Sequence, residues 1–440
     1  MPAVAHTLPG IQLTSHRVRV PVDYARQSGD TIEVFVRELV AVGKQGDSLP
    51  ALVFFQGGPG FGSPRPTGLG GWIKRALKEF RVFLLDQRGT GLSTPVTGQT
   101  LQAMGSAEDQ AAYLQHFRAD NIVRDAEVVR QQLVGGRPWT VLGQSFGGFC
   151  AMHYLSAAPD ALREVLITGG IPPLDRPTDD IYRATYPRVV SKNRLYYQRY
   201  PDDVQRVKDI VAHLQSHEVN MPSGGRLTPE RFLQLGIAFG ASDGFESVHY
   251  LLEEAFVTIG GARQMNYNFL VGIEHAQAFD TNPIYTLLHE ACYTQNEASN
   301  WSAQRLLTEF PQFRVATPSS AAASAATDAG EPILFTGEMI YPWMLDQYPQ
   351  LRPLKGAAEI LATKADWPRL YDVERLRSNP VPVAAAVYYD DMYVHRQFSE
   401  ETASLVPNMK LWVTSEYEHN GLRADGEAIL DRLLAMVRGG

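Results

Sequence analysis

Cysteine is nearly absent: Cys150 and Cys292 are the two in 440 residues. They are too few for a disulfide framework, which fits a reducing compartment. No stretch approaches the roughly 20 apolar residues that a membrane helix needs. An excess of positive charge is missing too. With 40 Lys and Arg against 48 Asp and Glu, the net charge is −8, which gives no general reason to bind nucleic acid or an anionic membrane. Met1 to Gly10 has no basic stretch leading into an apolar one, so the expectation is a cytoplasmic chain without a secretory leader. Metal-ligand spacing such as H-E-x-x-H does not occur. Glycine (37) and proline (28) sit near globular averages, so collagen-like, coiled-coil and wholly disordered readings are excluded.

What is present reads as a two- or three-domain chain by length. Val18, Val20 and Val22 alternate with polar residues or proline, and residues 32–36 repeat that period of two, so residues 11–40 read as strands. Ala51 to Phe55 and Arg81 to Leu85 are short apolar runs of the kind buried on both sheet faces. A helix is expected over Ala119 to Leu133, a strand over Trp139 to Leu142, a helix to Ala158 and a strand over Glu164 to Thr168. Strands alternating with helices predict an α/β fold with a mostly parallel sheet. From about Leu174 to Pro311 the pattern turns helical and aromatic. A Ser/Ala-rich stretch within 315–331 reads as a loop. Strand rhythm returns at Val381 to Tyr389 and Lys410 to Thr414, and Gly426 to Val437 closes the chain as a helix. The sheet is therefore expected to occupy 1–171 and 380–440, interrupted by a mainly helical insertion over 172–379.

The strongest chemical signal is Gly143-Gln144-Ser145-Phe146-Gly147, preceded by a strand and followed by a helix. In that context G-x-S-x-G is a nucleophile elbow. The glycines allow the tight turn, and the helix N-terminus offers N–H groups to a developing negative charge. A serine hydroxyl needs a base to take its proton. Behind this elbow, an acid and then a histidine follow in sequence. His395 and His419 alone lie in the returning α/β segment, and His419 sits in a loop just after a strand. Asp390 and Asp391 end the preceding strand, and either can orient His419. Backbone N–H groups of Phe146 and of Gly57 or Gly58, in the glycine-rich run after the Ala51–Phe55 strand, are candidates for an oxyanion hole.

Gly57-Gly58-Pro59-Gly60, then Asp86-Gln87-Arg88-Gly89-Thr90-Gly91-Leu92-Ser93, then Gly143-Gln144-Ser145-Phe146-Gly147-Gly148 resemble the prolyl aminopeptidase (proline iminopeptidase) family of α/β-hydrolase serine peptidases. The D-Q-R-G-x-G-x-S run is the most specific part. The inserted region resembles that of the family's larger members. Gln56 departs from the histidine usual in short members, at a place where the oxyanion role is carried by backbone. The resemblance implies an α/β-hydrolase fold, a helical cap over the serine, and release of N-terminal proline from small peptides without a cofactor or metal. It favours Asp391, which precedes Met392, as the acid. It also implies glutamates that hold the substrate's free imino group. Glu290 resembles the first and Glu338 the second, with Tyr293, Tyr341 and Trp343 as candidate walls for a pyrrolidine ring. Asp86 and Arg88 are expected to brace the loop beside the oxyanion strand.

The expected chemistry is a Ser145, Asp391 and His419 relay acting through an acyl-enzyme. The fold alone also hosts esterases, amidases and lactonases. Epoxide and haloalkane hydrolases need a carboxylate at the elbow, where this chain has Ser145. A non-catalytic binding protein of the same fold normally lacks a member of the triad, and here all three residues are present. Oligomeric state is left open.

Overall fold

The computed structural model describes residues 4–26, 29–315 and 331–439. The Ser/Ala-rich stretch expected as a loop near 315–331 falls almost wholly at 316–330, outside the described residues. The frame is a nine-stranded sheet. Its strands are β1 (Val4–Leu8), β2 (Ile11–Pro21), β3 (Thr31–Ala41), β4 (Ala51–Phe55), β5 (Arg81–Asp86), β6 (Trp139–Gln144), β7 (Leu162–Thr168), β8 (Val383–Tyr388) and β9 (Met409–Thr414). Their order across the sheet is β1-β2-β3-β5-β4-β6-β7-β8-β9. The first three strands form an antiparallel meander that pairs with β5. From β5 to β9 every neighbour is parallel.

Period-two alternation divides the core between the sheet's two faces. Val53 and Phe55 of β4 belong to one cluster, Leu52 and Phe54 to the other. Four helices matter below: α1 (Ala119–Val134), α2 (Phe146–Ala157), α3 (Thr178–Arg199) and α4 (Gly426–Val437). Helices α1 and α2 bury Ile122, Val129, Phe149 and Leu155 in the first cluster. Helix α4 and the short helix Gly71–Ala76 bury Ile429, Leu433 and Trp72 in the second. All residues of β4 and β8 are buried, as parallel strands covered on both faces must be. The edge strand β9 is only partly buried. Helix α1 ends where Gly135 takes a left-handed conformation, φ 66°, the usual role of glycine past a helix end.

Between β7 and β8, no described residue joins the main sheet. That stretch holds helices and two small hairpins, Val219–Asn220 with Arg226–Leu227 and Phe256–Ile259 with Ala262–Met265. Because β4, β6, β8 and β9 are parallel, the loops after them share one edge of the sheet, the place where such folds gather reactive groups.

The Asp86-Gln87-Arg88 run lies beside that edge. Arg88 is fully buried against Asp125 of α1, with Nε at 2.7 Å and Nη2 at 2.5 Å from its oxygens. Its remaining donors reach the carbonyls of Val22, His116 and Pro21 at 2.9, 2.8 and 3.1 Å. Asp86 accepts the N–H groups of Ser63 and Leu92 at 2.9 and 2.7 Å and pairs with Arg65. These contacts tie β2, β5 and α1 together. Arg88→Leu would leave Asp125 buried without its cation, at an expected cost of about 3–5 kcal/mol. Urea denaturation should read that loss, and adding Asp125→Leu should restore most of it. A single-variant loss under about 1 kcal/mol would remove the bracing role.

Candidate active site

Ser145 stands between β6 and α2 with φ 55° and ψ −125°, a conformation that side-chain-bearing residues rarely adopt. Its N–H donates to the Thr168 carbonyl at 2.9 Å, and the Gly148 N–H donates to its carbonyl at 2.7 Å. Glycine is required around it for space. A Cβ on Gly147 would collide with the Phe55 carbonyl, and one on Gly148 with the Gly170 carbonyl. A Cβ on Gly57 would come within 2.9 Å of Ser145 Cβ, so the Gly57 backbone runs directly past the serine. Phe146 opens α2, and its N–H belongs to the unpaired first turn of that helix.

Asp391 and His419 meet on the loops after β8 and β9. His419 Nδ1 lies 2.7 Å from Asp391 Oδ2. The other carboxylate oxygen accepts the N–H groups of Tyr393 and Val394 at 2.9 and 3.1 Å. With Nδ1 donating to Asp391, Nε2 is the nitrogen left to accept a proton. Burial, the largest influence on His419, pulls its pKa down, but the charge and hydrogen bond of Asp391, with help from Glu338 and Glu418, leave it above the ordinary histidine value. Tyr393 stands edge-on to the imidazole, ring centres 4.6 Å apart. Asp390, the other candidate acid, is half exposed and forms an ion pair with Arg188 at 2.7 Å. His395 merely precedes the helix Arg396–Leu405.

Ser145 and His419 line one cleft of about 320 Å³, together with Gly57, Gly58, Phe279, Tyr285, Tyr393 and Glu338. A recess of about 10 Å³ adjoins it, sharing Gly58, Ser145 and Glu338 and adding Phe146, His289, Cys292 and Tyr293. A larger groove of about 890 Å³ lies elsewhere, along Ser156, Arg176 and Tyr371. It contains neither Ser145 nor His419, so convergent chemistry rather than volume marks the site. Among the described residues, no group of three or more His, Cys, Asp and Glu is arranged to hold a metal.

The two glutamates part company. Glu338 is half-buried at the cleft, where Tyr285 donates its hydroxyl at 2.9 Å. Burial lifts its carboxyl to about 7, against the opposing pull of the His419 charge and the Tyr285 hydrogen bond, with the Asp391 charge adding to the rise. Glu290 lines neither the cleft nor the recess. Its oxygens accept the N–H groups of Ser302 and Ala303 at 3.1 and 3.0 Å, which caps the short helix Ser302–Leu306. Of the three aromatic candidates, Tyr293 lines the recess and meets Phe149 edge-on, ring centres 5.4 Å apart. Tyr341 hydrogen-bonds Tyr186 at 3.1 Å and stacks on Trp343, and neither lines the cleft.

Sequence reasoning passed over Tyr285 and His289. A signal was available: Tyr285, His289 and Tyr293 recur every four residues through the helix Pro283–Leu288 and the turn Glu290–Cys292. That spacing puts all three on one face, and their rings run in sequence, with centres 4.9 and 6.2 Å apart.

The strand order, the serine elbow and the Asp391–His419 pair define an α/β hydrolase, and residues 50–254 match the family model for the alpha/beta hydrolase fold. A proline iminopeptidase of Aeromonas sobria is 49% identical over 434 residues, covering 98% of both chains. One from Aspergillus aculeatus is 36% identical over 440 residues, covering 98% of this chain and 95% of its own. The chain belongs to the proline iminopeptidase family. Among solved structures, a thermophilic esterase from Thermogutta terrifontis covers 96% of this chain and 98% of its own, at 14% identity and a TM-score of 0.40.

The geometry separates the two neighbouring aspartates by experiment. Asp391→Asn should slow fluorophosphonate labelling of Ser145 by about 10⁴-fold. Asp390→Asn, which loses only a partly exposed ion pair, should stay within a few-fold of the parent. The reverse order would reassign the acid.

Proposed function

We propose that the chain is a serine exopeptidase that releases proline from the N-terminus of small peptides. The observation that carries this reading is Glu338: a half-buried carboxylate in the same recess as the elbow serine. A peptidase that removes one N-terminal residue must hold a cationic amine at a fixed distance from its nucleophile, and a buried carboxylate does so with charge-assisted hydrogen bonds. Relatives named as proline iminopeptidases along nearly the whole chain support the same conclusion.

In this reading Ser145 Oγ attacks the carbonyl of the N-terminal residue. His419 takes the hydroxyl proton and delivers it to the leaving amine, while Asp391 orients the imidazole and stabilises its charged form. The N–H groups of Phe146 and of Gly57 or Gly58 receive the oxyanion. Water then attacks the acyl-enzyme by the same route in reverse. Residues 1–171 and 380–440 act as the catalytic unit. Residues 172–379 act as a cap that supplies Tyr285, Tyr293 and Glu338 above the serine.

The purified protein is expected to release proline from L-proline β-naphthylamide, and Ser145→Ala should abolish it. Rapid ester hydrolysis with no turnover of any N-terminal proline substrate would instead mark an esterase or amidase of another specificity. Glu338 adds a pH signature. Its carboxyl ionises near 7, so the anion that holds the amine is lost as pH falls through that value. Turnover efficiency (kcat/KM) on free-amine substrates should therefore rise with pH through about 7. Glu338→Gln should raise KM tenfold or more and remove this ionisation, leaving only that of His419. An unchanged KM and pH profile would dismiss the amine-holding role.

A further inference from the structure

His289 is a histidine that the proposed relay does not use. It is 4% exposed, and its Nδ1 is buried without a hydrogen-bond partner. Buried polar atoms are nearly always paired, so an orphan in a ligand recess calls for an explanation. The recess it lines also holds Ser145 and Glu338 and measures about 10 Å³, about the room a single water needs. That is the size of an ammonium head. A pyrrolidine ring would lie in the adjoining cleft of about 320 Å³.

The N-terminal nitrogen of a prolyl peptide is a secondary ammonium with two N–H donors, so a dry recess must present two acceptors. Glu338 is one, and its Oε1 already accepts the Tyr285 hydroxyl. Glu290 is not the other, because it lines neither the recess nor the cleft and its oxygens face the N-terminus of a helix. We propose that His289 is the second acceptor, an imidazole nitrogen that takes one N–H of the substrate's ammonium while Glu338 takes the other. This rests on the aminopeptidase reading above and deepens it, because it makes the anchor one anion and one neutral group. Burial holds the His289 pKa down to about 4. At neutral pH the ring therefore has a free lone pair and no charge to repel the incoming cation. Tyr285 and Tyr293, its ring neighbours at 4.9 and 6.2 Å, fix its plane. A single carboxylate would bind any amine that reached it. Two acceptors on different elements of the insertion select a donor pair of defined direction.

The test uses the Ser145→Ala protein, which cannot turn substrate over, and calorimetry with L-prolinamide and N-acetyl-L-prolinamide. His289→Phe keeps the ring and removes the acceptor. His289→Asn keeps a polar atom near the Nδ1 position. The Phe variant is expected to raise Kd for L-prolinamide by about tenfold or more, the scale of a hydrogen bond to a charged donor. It should leave binding of the N-acetyl compound unchanged, and the Asn variant should recover most of the loss. His289→Leu provides the same comparison if the Phe variant fails to fold. A smaller rise, equal weakening of both compounds, or no recovery in the Asn variant would overturn the proposal and leave the aminopeptidase reading intact. A parent that binds the two compounds equally would overturn both.

Discussion

The turn at Ser145 is the constraint on which the rest of the site depends. A side-chain-bearing residue at φ 55° and ψ −125° costs on the order of 1–3 kcal/mol and survives only where its neighbours over-determine it. They do so here through main chain. The serine's N–H and carbonyl are both hydrogen-bonded, and Gly147 and Gly148 let α2 press against the carbonyls of Phe55 and Gly170. That closeness sets how near α2 lies to the ends of β4 and β7. It brings the Gly57 backbone against the serine and aims the open first turn of α2 at the same spot. The strain and the glycines are one feature: without them the hydroxyl would sit lower in the sheet and the helix N-terminus farther away.

Around that turn the electrostatics are held in tension by burial. Asp391 and His419 are nearly dry, and Glu338 is half-buried. Asp391 is secured by two backbone N–H groups in addition to His419. Glu338 has one hydroxyl, and burial wins: its carboxyl rises to about 7. An incoming ammonium would reverse that balance, because a cation inside the recess stabilises the anion far more than it would in water. In the proposed chemistry the carboxylate therefore becomes fully charged when the right substrate arrives.

Legibility followed local periodicity. The strands Ala51–Phe55 and Met409–Thr414 and the helix Gly426–Val437 could be read to within a residue or two, because each is a run of one period bounded by turn residues. The elbow was legible for the same reason. Asp391 was not separable from Asp390 by spacing, since adjacent residues differ only in which way the chain leaves the strand, and it took the His419 contact and the Arg188 pair to part them. Glu290 and Glu338 could not be sorted at all from sequence. The first caps a helix twelve residues ahead of it, and the second sits in a stretch with no regular structure. Tyr285, His289 and Tyr293 were readable as a helical face, but a histidine between tyrosines at that spacing looks like ordinary core.

The irregular stretch bearing Glu338 has its own logic. Residues 331–340 form no helix or strand, yet they are held firmly. Asn193 of α3 accepts the Phe335 N–H at 2.8 Å and donates to its carbonyl at 2.9 Å, and the Thr336 N–H reaches the Leu233 carbonyl at 2.9 Å. Gly236 leaves room for this approach, since a Cβ there would strike Phe335 and Thr336. Phe335 is buried among Tyr196, Phe232 and Phe239, and Glu338, three residues on, emerges in the recess. A regular helix satisfies its backbone internally and keeps a core side chain and a residue three further along on one face. An irregular chain pinned by a buried asparagine can bury one and deliver the other to the serine. The insertion thus spends polar contacts in its own core to fix one carboxylate beside the serine, and in the proposed chemistry that carboxylate is what the substrate's ammonium meets.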